Sequence, residues 1–351
     1  MAILTAGGLV AAGASWAADE SPFGNRFFFD QNQPSSVLSF NGADRGLPGY
    51  DTSVFPSAYA GQGVSDPAST AFALAKSSAT NYLFPALGLN APDWAKRVEL
   101  EWDVQKDLKP TYSLLTVQPL YQDANKQNTF FIQASQLRYD MLDKFRDTSN
   151  VGLGYRRLLF DNQMLVGINA FYDHEWTYGH QRASIGGEAK WAMLDFSTNW
   201  YKAISGDKLI DAANAITERA MGGWDAEIRS QVPFLPWMQV AVQRYEWKSE
   251  WADNTKGWSY SASADITQNL SIEAGWKRDN YNSSSGFAKF VFRLARTDRP
   301  AMLSDKVVSN NAFEQRDMRV YTLDKVRREN RIMVERKTTT TAGSVIIARG
   351  T

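Results

Sequence analysis

The chain has 351 residues, no net charge at pH 7, 44% hydrophobic residues and no cysteine. Zero net charge removes the global field that would recruit nucleic acid or an acidic substrate, and the lack of cysteine excludes disulfides, thiolate nucleophiles and Cys-based metal sites. Aromatic residues reach 13%, with twelve Trp, an excess that is typical of the aromatic belts of membrane proteins. No stretch of the sequence approaches the roughly 18 consecutive apolar residues of a spanning helix.

Residues 1–18 are similar to a secretory signal peptide. Ala2 to Ala17 are mostly small and apolar, and Ser15-Trp16-Ala17 ends in small residues suited to signal peptidase. The basic n-region is missing, because no Lys or Arg precedes Arg26. Either the true start lies upstream or the segment is not a signal; we favour the first, since the apolar run and the cleavage site fit the pattern.

Residues 19–95 show little lasting periodicity. Up to about Gln62 they are rich in Gly, Pro, Ser, Asn and Asp and are predicted to be irregular. Ser69 to Leu87 contains good helix formers, and Asp66-Pro67 provides a helix start. We therefore expect one short helix before the strands begin.

Residues 96–296 alternate apolar and polar side chains, segment after segment. Trp258-Tyr260-Ala262-Ala264-Ile266, for example, interleaves with Ser259-Ser261-Ser263-Asp265. Strands place neighbouring side chains on opposite faces, so each segment has one apolar and one polar face. A closed barrel in a membrane turns the apolar faces towards lipid and the polar faces towards a lumen. The prediction is an all-β fold, a twelve-stranded antiparallel transmembrane β-barrel; an aromatic-rich soluble β-protein is the alternative.

Most of the predicted strands have about the nine to eleven residues that a tilted strand needs to cross a bilayer. They are Arg97–Val104, Thr111–Tyr121, Thr129–Arg138, Asn150–Leu159, Met164–His174, Gln181–Lys190, Met193–Ala203, Gly223–Val232, Trp237–Trp247, Trp258–Thr267, Leu270–Asp279 and Gly286–Leu294. Tight turns alternate with longer polar loops at Tyr139–Ser149, Ile204–Gly222 and Lys248–Gly257, as in outer-membrane barrels. Gln105–Pro110 is the exception, because it is short although it should lie outside.

Residues 297–337 differ in character from the strands. They are polar, with a basic excess near their end. Val320, Leu323 and Val326 predict a helix-like turn, and Ile332 with Val334 predicts an extended piece after it. Only residues 338–351 follow, too few for a domain.

Several motifs, in sequence order, resemble the β-domain of the inverse autotransporters, the intimin and invasin family. One group of motif residues is similar to the Gly-x-Gly-Tyr-Arg strand and another to the most recognisable run of the family: Gly152, Gly154, Tyr155, Arg156, Asn169, Phe171, Tyr172, Asp173, Gly179 and His180. Tyr321–Val326 and Asn330–Lys337 resemble the linker that runs through the pore. The resemblance covers about Thr70 to Lys337.

The resemblance implies a barrel in the bacterial outer membrane with its N-terminus, and the short helix before the barrel, in the periplasm. A luminal linker would then carry the C-terminus towards the cell surface. The implied function is a non-enzymatic anchor and translocator of type V secretion, which exports or displays a C-terminal passenger for cell adhesion. Residues 338–351 would be the start of a missing or truncated passenger. A porin-like passive outer-membrane channel is the alternative, and a luminal plug distinguishes the two.

The implied partners are outer-membrane lipid, the barrel-assembly machinery and periplasmic chaperones. Phe287, Phe290, Phe292 and Leu294 resemble the aromatic-rich terminal strand that the assembly machinery recognises. A host or surface ligand would be reached only through a passenger. No cofactor and no nucleic acid are expected.

Alternation predicts an acidic lining for the lumen. The acids on polar faces are Glu99, Glu101, Asp103, Asp173, Glu188, Asp195, Asp225, Glu227 and Glu273. The linker residues expected beside them are Tyr321, Arg327, Arg328, Arg331, Glu335 and Arg336. We expect Arg327, Arg328 and Arg331 to form charge-assisted hydrogen bonds with carboxylates near Glu99, Glu101, Glu188 and Glu227; a lumen whose acids are simply solvated is the alternative.

Two features could be mistaken for chemical sites. Asp173-His174-Glu175 with His180 suggests a metal site, but neither His has a partner at helical spacing, so a polar rim loop is the favoured interpretation. Gly152 and Gly154 lack the following helix of a phosphate loop. We expect these glycines where bulk is unwelcome, against the luminal linker.

Overall fold

The structure, a computed structural model, describes residues 94, 97–106, 108–142, 144–281, 284–294, 299–303, 307–339 and 345–350. The predicted signal peptide at 1–18 and the predicted helix at Ser69–Leu87 lie outside these residues. In the part of the chain that is described, no helix combines the length and apolar character needed to span a membrane.

The described residues form sixteen strands in two sheets. The first seven are β1 Val98–Gln105, β2 Thr111–Gln122, β3 Asn128–Met141, β4 Lys144–Leu159, β5 Met164–Glu175, β6 Gln181–Trp191 and β7 Leu194–Ala203. Two short strands follow, β8 Lys208–Asp211 and β9 Ile216–Ala220. The remaining strands are β10 Gly222–Val232, β11 Leu235–Lys248, β12 Thr255–Asp265, β13 Leu270–Asp279, β14 Ser285–Arg293, β15 Val334–Thr339 and β16 Val345–Gly350.

Twelve of these strands close into one barrel, in the order β1-β14-β13-β12-β11-β10-β7-β6-β5-β4-β3-β2. Every pair is antiparallel, and β1 closes the barrel against β14 from Glu99↔Arg293 to Gln105↔Phe287. The predicted all-β, twelve-stranded barrel is therefore confirmed. All twelve predicted segments correspond to barrel strands.

Alternation along each strand separates an outward from an inward face. On β5, Ile168 and Tyr172 are 66% and 44% exposed, whereas Phe171 and Asp173 between and beside them are buried. The outward residues include ring pairs across neighbouring strands, such as Phe130 with Tyr155 at 4.6 Å and Trp102 with Phe290 at 5.5 Å between centroids. An apolar outer surface of this kind suits lipid.

The two ends of the barrel differ. At one end, here called the turn end, short connections join β4 to β5, β6 to β7, β10 to β11 and β12 to β13. The other end, the loop end, carries longer connections, such as those from β7 to β10 and from β11 to β12. There the structure corrects two predicted loops. β3 and β4 continue to Met141 and from Lys144, so Tyr139–Ser149 is mostly strand; its polar residues hid the continuing pairing.

The predicted loop Ile204–Gly222 contains β8 and β9. Asn214 donates its backbone N–H to the Asp211 carboxylate at 3.1 Å and closes the turn between them. β9 also pairs with β15, and β15 with β16, which gives a four-stranded sheet of order β16-β15-β9-β8. Because β9 is stabilised by a partner more than a hundred residues away in the chain, its few residues carried no readable pattern of their own.

Candidate functional site

Residues 316–334, here called the luminal segment, run along the inside of the barrel from one end to the other. Near its start, Met318 donates its backbone N–H to the carbonyl of Asn162 at the turn end, at 3.0 Å. Halfway along, the Val326 N–H donates to the inward side chain of Gln133 at 2.7 Å. At the loop end, the Met333 carbonyl accepts from the Met221 N–H at 2.8 Å. A single 3-10 turn at Met318–Tyr321 precedes an otherwise extended course.

At the turn end, Tyr321 lies between two arginines. The guanidinium carbons of Arg299 and Arg316 lie 4.6 and 5.3 Å from the centroid of its ring, a cation–π arrangement. Arg316 also donates to Asp195 at 2.6 Å, and Arg299 forms an ion pair with Asp324. Tyr321 is therefore an anchor where the luminal segment enters the barrel.

Arg156 of β4 binds the backbone of the luminal segment through hydrogen bonds. Its guanidinium binds the carboxylate of Glu188 through two nitrogens, at 2.6 and 3.1 Å. The remaining terminal nitrogen donates to the carbonyls of Thr322 and Asp324, at 2.9 and 2.6 Å. The side chain of Arg156 is completely buried. Because a planar guanidinium offers five donors in a fixed fork, one arginine can hold a carboxylate of the wall and two carbonyls of the segment together.

Gly152 and Gly154 make room for aromatic rings of neighbouring strands. A Cβ on Gly152 would lie 2.3 Å from the ring of Phe171, and one on Gly154 would lie 2.2 Å from the ring of Phe131. Both rings pack with Val326 in one apolar cluster. The expectation that these glycines face the linker directly needs correction, because the rings stand between glycine and linker.

The basic residues of the luminal segment pair with inward carboxylates of several strands. Arg328 binds Asp173 of β5 through two nitrogens, at 2.9 and 2.7 Å, and its side chain is completely buried. Arg327 donates to Glu273 of β13 at 3.1 Å. Lys325 pairs with Glu99 of β1 at 3.1 Å and also with Glu101. Opposite sides of the barrel wall are thereby tied to one segment.

The pairing differs from the expected one. Arg331 pairs with Glu329 of its own segment at 3.0 Å, and Glu188 is already held by Arg156. Glu227 pairs with Arg229 of the same strand at 3.2 Å. Each expected acid lies in the lumen, but Glu188 and Glu227 pair with arginines of the wall, and Glu99 pairs with both Arg293 of β14 and Lys325. Arg328 and Arg327 bind Asp173 and Glu273, which they share with Arg182 and Arg229 of the wall.

Neutral groups complete the contacts in the middle of the lumen. Tyr201 donates its hydroxyl to Asp225 at 2.5 Å and accepts the backbone N–H of Glu329 at 2.8 Å. The side-chain amide of Asn199 bridges Asp225 and the Arg327 carbonyl, at 2.8 and 2.9 Å. Backbone groups of the extended segment thus find partners in the wall, as buried backbone groups must.

At the loop end, Glu218 of β9 joins the segment to the barrel. Arg146 donates to both of its carboxylate oxygens at 2.7 Å, His180 lies 3.0 Å away, and Arg336 donates at 2.7 Å. Burial would raise the pKa of Glu218, but the hydrogen bonds from His180 and Arg146, the charge of Arg146 and the hydrogen bond from Arg336 outweigh burial and lower the pKa to about 2. Glu335 beside it accepts the backbone N–H of Glu250 at 2.9 Å.

The sequence did not single out Glu218 or Arg146. Both lie in stretches that were predicted to be loops, and their contact joins residues 72 positions apart. No local pattern pointed to Glu218, because β9 has only five residues.

An apolar cluster closes the lumen beside this ion-pair group. Ile332, Met333 and Val334 are at most 2% exposed, and they pack against Tyr139 and Met221 among others. The extended piece predicted around Ile332 and Val334 is therefore buried, and it leads into β15.

The suspected metal residues have other roles. Asp173 binds arginines, His180 binds Glu218, and Glu175 accepts the backbone N–H groups of Thr177 and Tyr178. His174 faces outward, with its ring 4.4 Å from that of Trp176. Within the described residues no group of three or more His, Cys, Asp or Glu could hold a metal ion. Asp173, Glu175 and His180 are fully buried, and residues 173–175 end β5, so the interpretation as a polar rim loop needs correction: these side chains belong to the buried contacts of the barrel wall.

The other motif residues divide between the two faces. Asn169 faces inward and is buried, whereas Tyr155 and Tyr172 face outward. Tyr155 donates its hydroxyl to Asn128 at 2.7 Å. Gly179 has a φ of 73° in the turn before β6, a left-handed conformation that favours glycine.

Water-sized cavities remain along one side of the luminal segment. One of them has a volume of about 140 Å³ and is lined by Glu101, Asp103, Lys277 and Lys289 among others. A polar cavity of this size suits several water molecules.

Comparisons with known proteins agree with this architecture. The family model described as inverse autotransporter, beta-domain, matches residues 53–330. An attaching and effacing protein homolog of Escherichia coli (strain K12) is 32% identical over 146 residues, which are 42% of this chain and 47% of that protein. Inverse autotransporter adhesin YeeJ of the same strain is 34% identical over 110 residues, 31% of this chain and 4% of that protein. The chain thus spans less than half the length of these relatives.

A solved structure from the study "Unveiling the Mechanism Behind the in-meso Crystallization of Membrane Proteins" is similar in fold. Its TM-score is 0.57 at 20% sequence identity, and the match covers 68% of this chain and 99% of that chain. At this level of identity the similarity concerns the barrel fold alone.

Proposed function

The chain belongs to the inverse autotransporter β-domain family, and we propose that its luminal segment is the route by which a C-terminal passenger reaches the cell surface. The barrel is an outer-membrane anchor and translocator domain of an adhesin. The finer statements, namely the direction of the chain, the passenger and the partners, are parts of this proposal.

The observation that carries the proposal is the continuous binding of residues 316–334 inside the barrel. After β14 the chain is back at the turn end, because twelve crossings are an even number. The luminal segment then leads it to the loop end, where β15 pairs with β9. Short turns face the periplasm and long loops face outside in bacterial barrels, so we infer that the N-terminus lies in the periplasm and that the C-terminus is directed outward.

The adhesive activity belongs to a passenger and not to the barrel. One relative carries the word adhesin in its name, and this chain matches only 4% of it. Residues 345–350 of this chain form β16 of the loop-end sheet. A host or surface ligand would be bound by domains beyond this sheet.

The barrel itself acts without catalysis in this proposal, and it needs three kinds of partner. Outer-membrane lipid covers the apolar face, while periplasmic chaperones and the barrel-assembly machinery bring the chain there. Phe290 and Phe292 alternate on the outward face of β14 with inward Lys289 and Val291, an aromatic pattern suited to recognition by the assembly machinery.

A passive channel is the rival function, and ion conductance distinguishes the two. With the luminal segment bound as described, the intact protein in a planar bilayer should conduct weakly. Deleting residues 319–333 should raise the single-channel conductance severalfold, because the polar lumen is then free. Open-channel conductance from the intact protein would support the porin instead.

Charge reversal gives a finer form of this experiment. Arg327→Glu with Arg328→Glu should release the segment from Glu273 and Asp173 and raise the conductance. Arg319→Glu is the matched control, because Arg319 is half-exposed and binds Asp317 of its own segment. A control that opens the channel as far as the double variant would show that the ion pairs do not hold the plug.

A further inference from the structure

The outward face of β11, β12 and β13 carries basic residues only at the loop end. Inward Tyr245 and Trp247 are buried, so alternation turns Arg244 and Lys248 outward. Lys256 and Arg278 occupy outward positions on the next two strands, and both are exposed. One acid, Glu246, lies among them and forms a 3.8 Å pair with Lys256.

The strand register brings Arg244, Trp258 and Arg278 into one row. Arg244 pairs with Trp258 across β11 and β12, and Trp258 pairs with Arg278 across β12 and β13. Neighbouring strands lie about 4.8 Å apart, so the two arginines flank the indole about 10 Å from each other. The guanidinium carbon of Arg244 lies 5.1 Å from the centroid of the Trp258 ring, which is 44% exposed.

The depth of this row follows from the aromatic residues beneath it. Tyr260 and Trp276 stack at 5.8 Å between centroids, one step of two residues towards the turn end. Such rings mark the border of the hydrocarbon region. Two residues span about 7 Å along a strand, which places Arg244 and Arg278 at the level of lipid headgroups.

Beyond the aromatic row the same face is apolar. Its outward residues from there towards the turn end are Val242, Val240, Met238, Ala262, Ala264, Ala274 and Ile272. The basic residues therefore meet one leaflet of the membrane and have no counterpart at the other. An anionic headgroup layer on the loop side alone is the complementary environment.

We propose that Arg244, Trp258, Arg278 and Lys256 form a binding site for a phosphorylated glycolipid of the outer leaflet. Arginines bind phosphate through paired donors, and two of them about 10 Å apart fit two phosphates at opposite ends of a rigid saccharide headgroup. The exposed indole between them packs against the Arg244 guanidinium and the Tyr260 ring, so it positions Arg244 beside the headgroup. A phospholipid with a single phosphate would engage only one arginine. The assignment rests on the proposed orientation, in which the loop end faces outside.

Binding by the refolded full chain tests this site without reference to export. The probes are bisphosphorylated lipid A, its dephosphorylated form and phosphatidylglycerol, each titrated in detergent and followed by native mass spectrometry. The wild type should bind bisphosphorylated lipid A at least ten-fold more tightly than either of the other two lipids. Equal binding of the three would overturn the proposal, whatever the variants do.

Variants locate the site on the barrel. Arg244→Gln with Arg278→Gln should weaken lipid A binding about ten-fold, and Trp258→Ala should weaken it further. Arg157→Gln is the matched control, because Arg157 is an exposed, outward arginine near the turn end; its binding should match the wild type. A folded double variant, checked by heat-modifiable gel migration, that binds as well as the wild type would contradict the assignment. Surface display of a C-terminal tag should persist in the double variant, so failure of this site and failure of the translocator function give different results.

Discussion

Arg156 and Arg157 are neighbours on β4 that face opposite sides of the barrel wall. Arg156 is buried against Glu188 and the luminal segment, whereas Arg157 is exposed. Removing one member of a buried ion pair costs about 3–5 kcal/mol, and the polar cavity beside Glu188 favours the lower end. Arg156→Gln should lower the free energy of unfolding by about 3 kcal/mol in a urea titration. Arg157→Gln should change it by less than about 1 kcal/mol; similar losses at both positions would mean that Arg156 does not hold the segment.

At Gly152 the addition of a single methyl group should lower the free energy of unfolding. A Cβ there meets the ring of Phe171, and overpacking of this kind costs about 1–3 kcal/mol. Gly152→Ala should therefore lower the urea midpoint in the wild-type background. In a Phe171→Leu background the same change should cost much less, because the smaller side chain leaves room.

Gly187→Ala serves as the control for this pair. A Cβ on Gly187 has its nearest neighbours at 4.0 Å, so the substitution should be almost neutral in both backgrounds. If Gly152→Ala costs as much in the Phe171→Leu background as in the wild type, the steric explanation is contradicted.

On the scale of one strand, β10 shows how strongly the two faces differ. Ile228 is 57% exposed on the outward face, and Glu227 beside it faces the lumen and pairs with Arg229. A lipid-facing Arg near the bilayer midplane costs about 2–4 kcal/mol, so Ile228→Arg should lower stability by this amount when the protein is refolded in lipid. Glu227→Gln should cost about 1 kcal/mol or less, because water and Arg229 remain available. Equal sensitivity of the two positions would show that the register of β10 is wrong.

The loop-end sheet should respond to acid through Glu218. Its pKa is lowered from 4.5 to about 2, so the folded state favours the ionised form. The resulting stabilisation is complete above pH 4.5 and is lost as the pH falls towards 2. A shift of this size corresponds to about 3 kcal/mol. Hydrogen exchange of the β15 amides, 334–339, should be slow at pH 5 after correction for intrinsic rates and should accelerate as the pH approaches 2.

Two variants separate Glu218 from the other carboxylates that titrate in the same range. Glu218→Gln should show weak protection of β15 already at pH 5, with little further loss on acidification. Asp207→Asn, a change at a half-exposed acid of the same loop, should behave as the wild type does. Wild-type pH dependence in Glu218→Gln would assign the acid response to other groups.

For the molecule as a whole, the strands were predictable and the contacts inside the barrel only partly so. The alternation of apolar and polar residues with a period of two is a local pattern. Every strand that faces lipid on one side repeats it, so the sequence indicated all twelve barrel strands. The acids of the lumen followed from the same pattern. Their partners did not, because whether Arg327 meets Glu227 or Glu273 depends on barrel closure and on the depth of the luminal segment.

The loop end shows the same limit more clearly. Glu218 lies on a strand of five residues, which is too short to show a period. Its partners Arg146, His180 and Arg336 come from three other parts of the chain, and only the folded structure brings them together. Similarly, the space that Gly152 leaves is defined by the register that sets Phe171 opposite it.

The direction of the chain through the barrel is the central claim, and an epitope tag after Thr351 tests it most directly. The chain would be expressed behind a complete secretory signal and probed with antibody on intact cells. A second tag, between Gln268 and Asn269 in the turn between β12 and β13, marks the opposite end of the barrel. We predict that intact cells show the tag after Thr351 as strongly as permeabilised cells do, and that the turn tag appears only after permeabilisation. A tag after Thr351 that is detected only in permeabilised cells would contradict the proposed passage through the lumen.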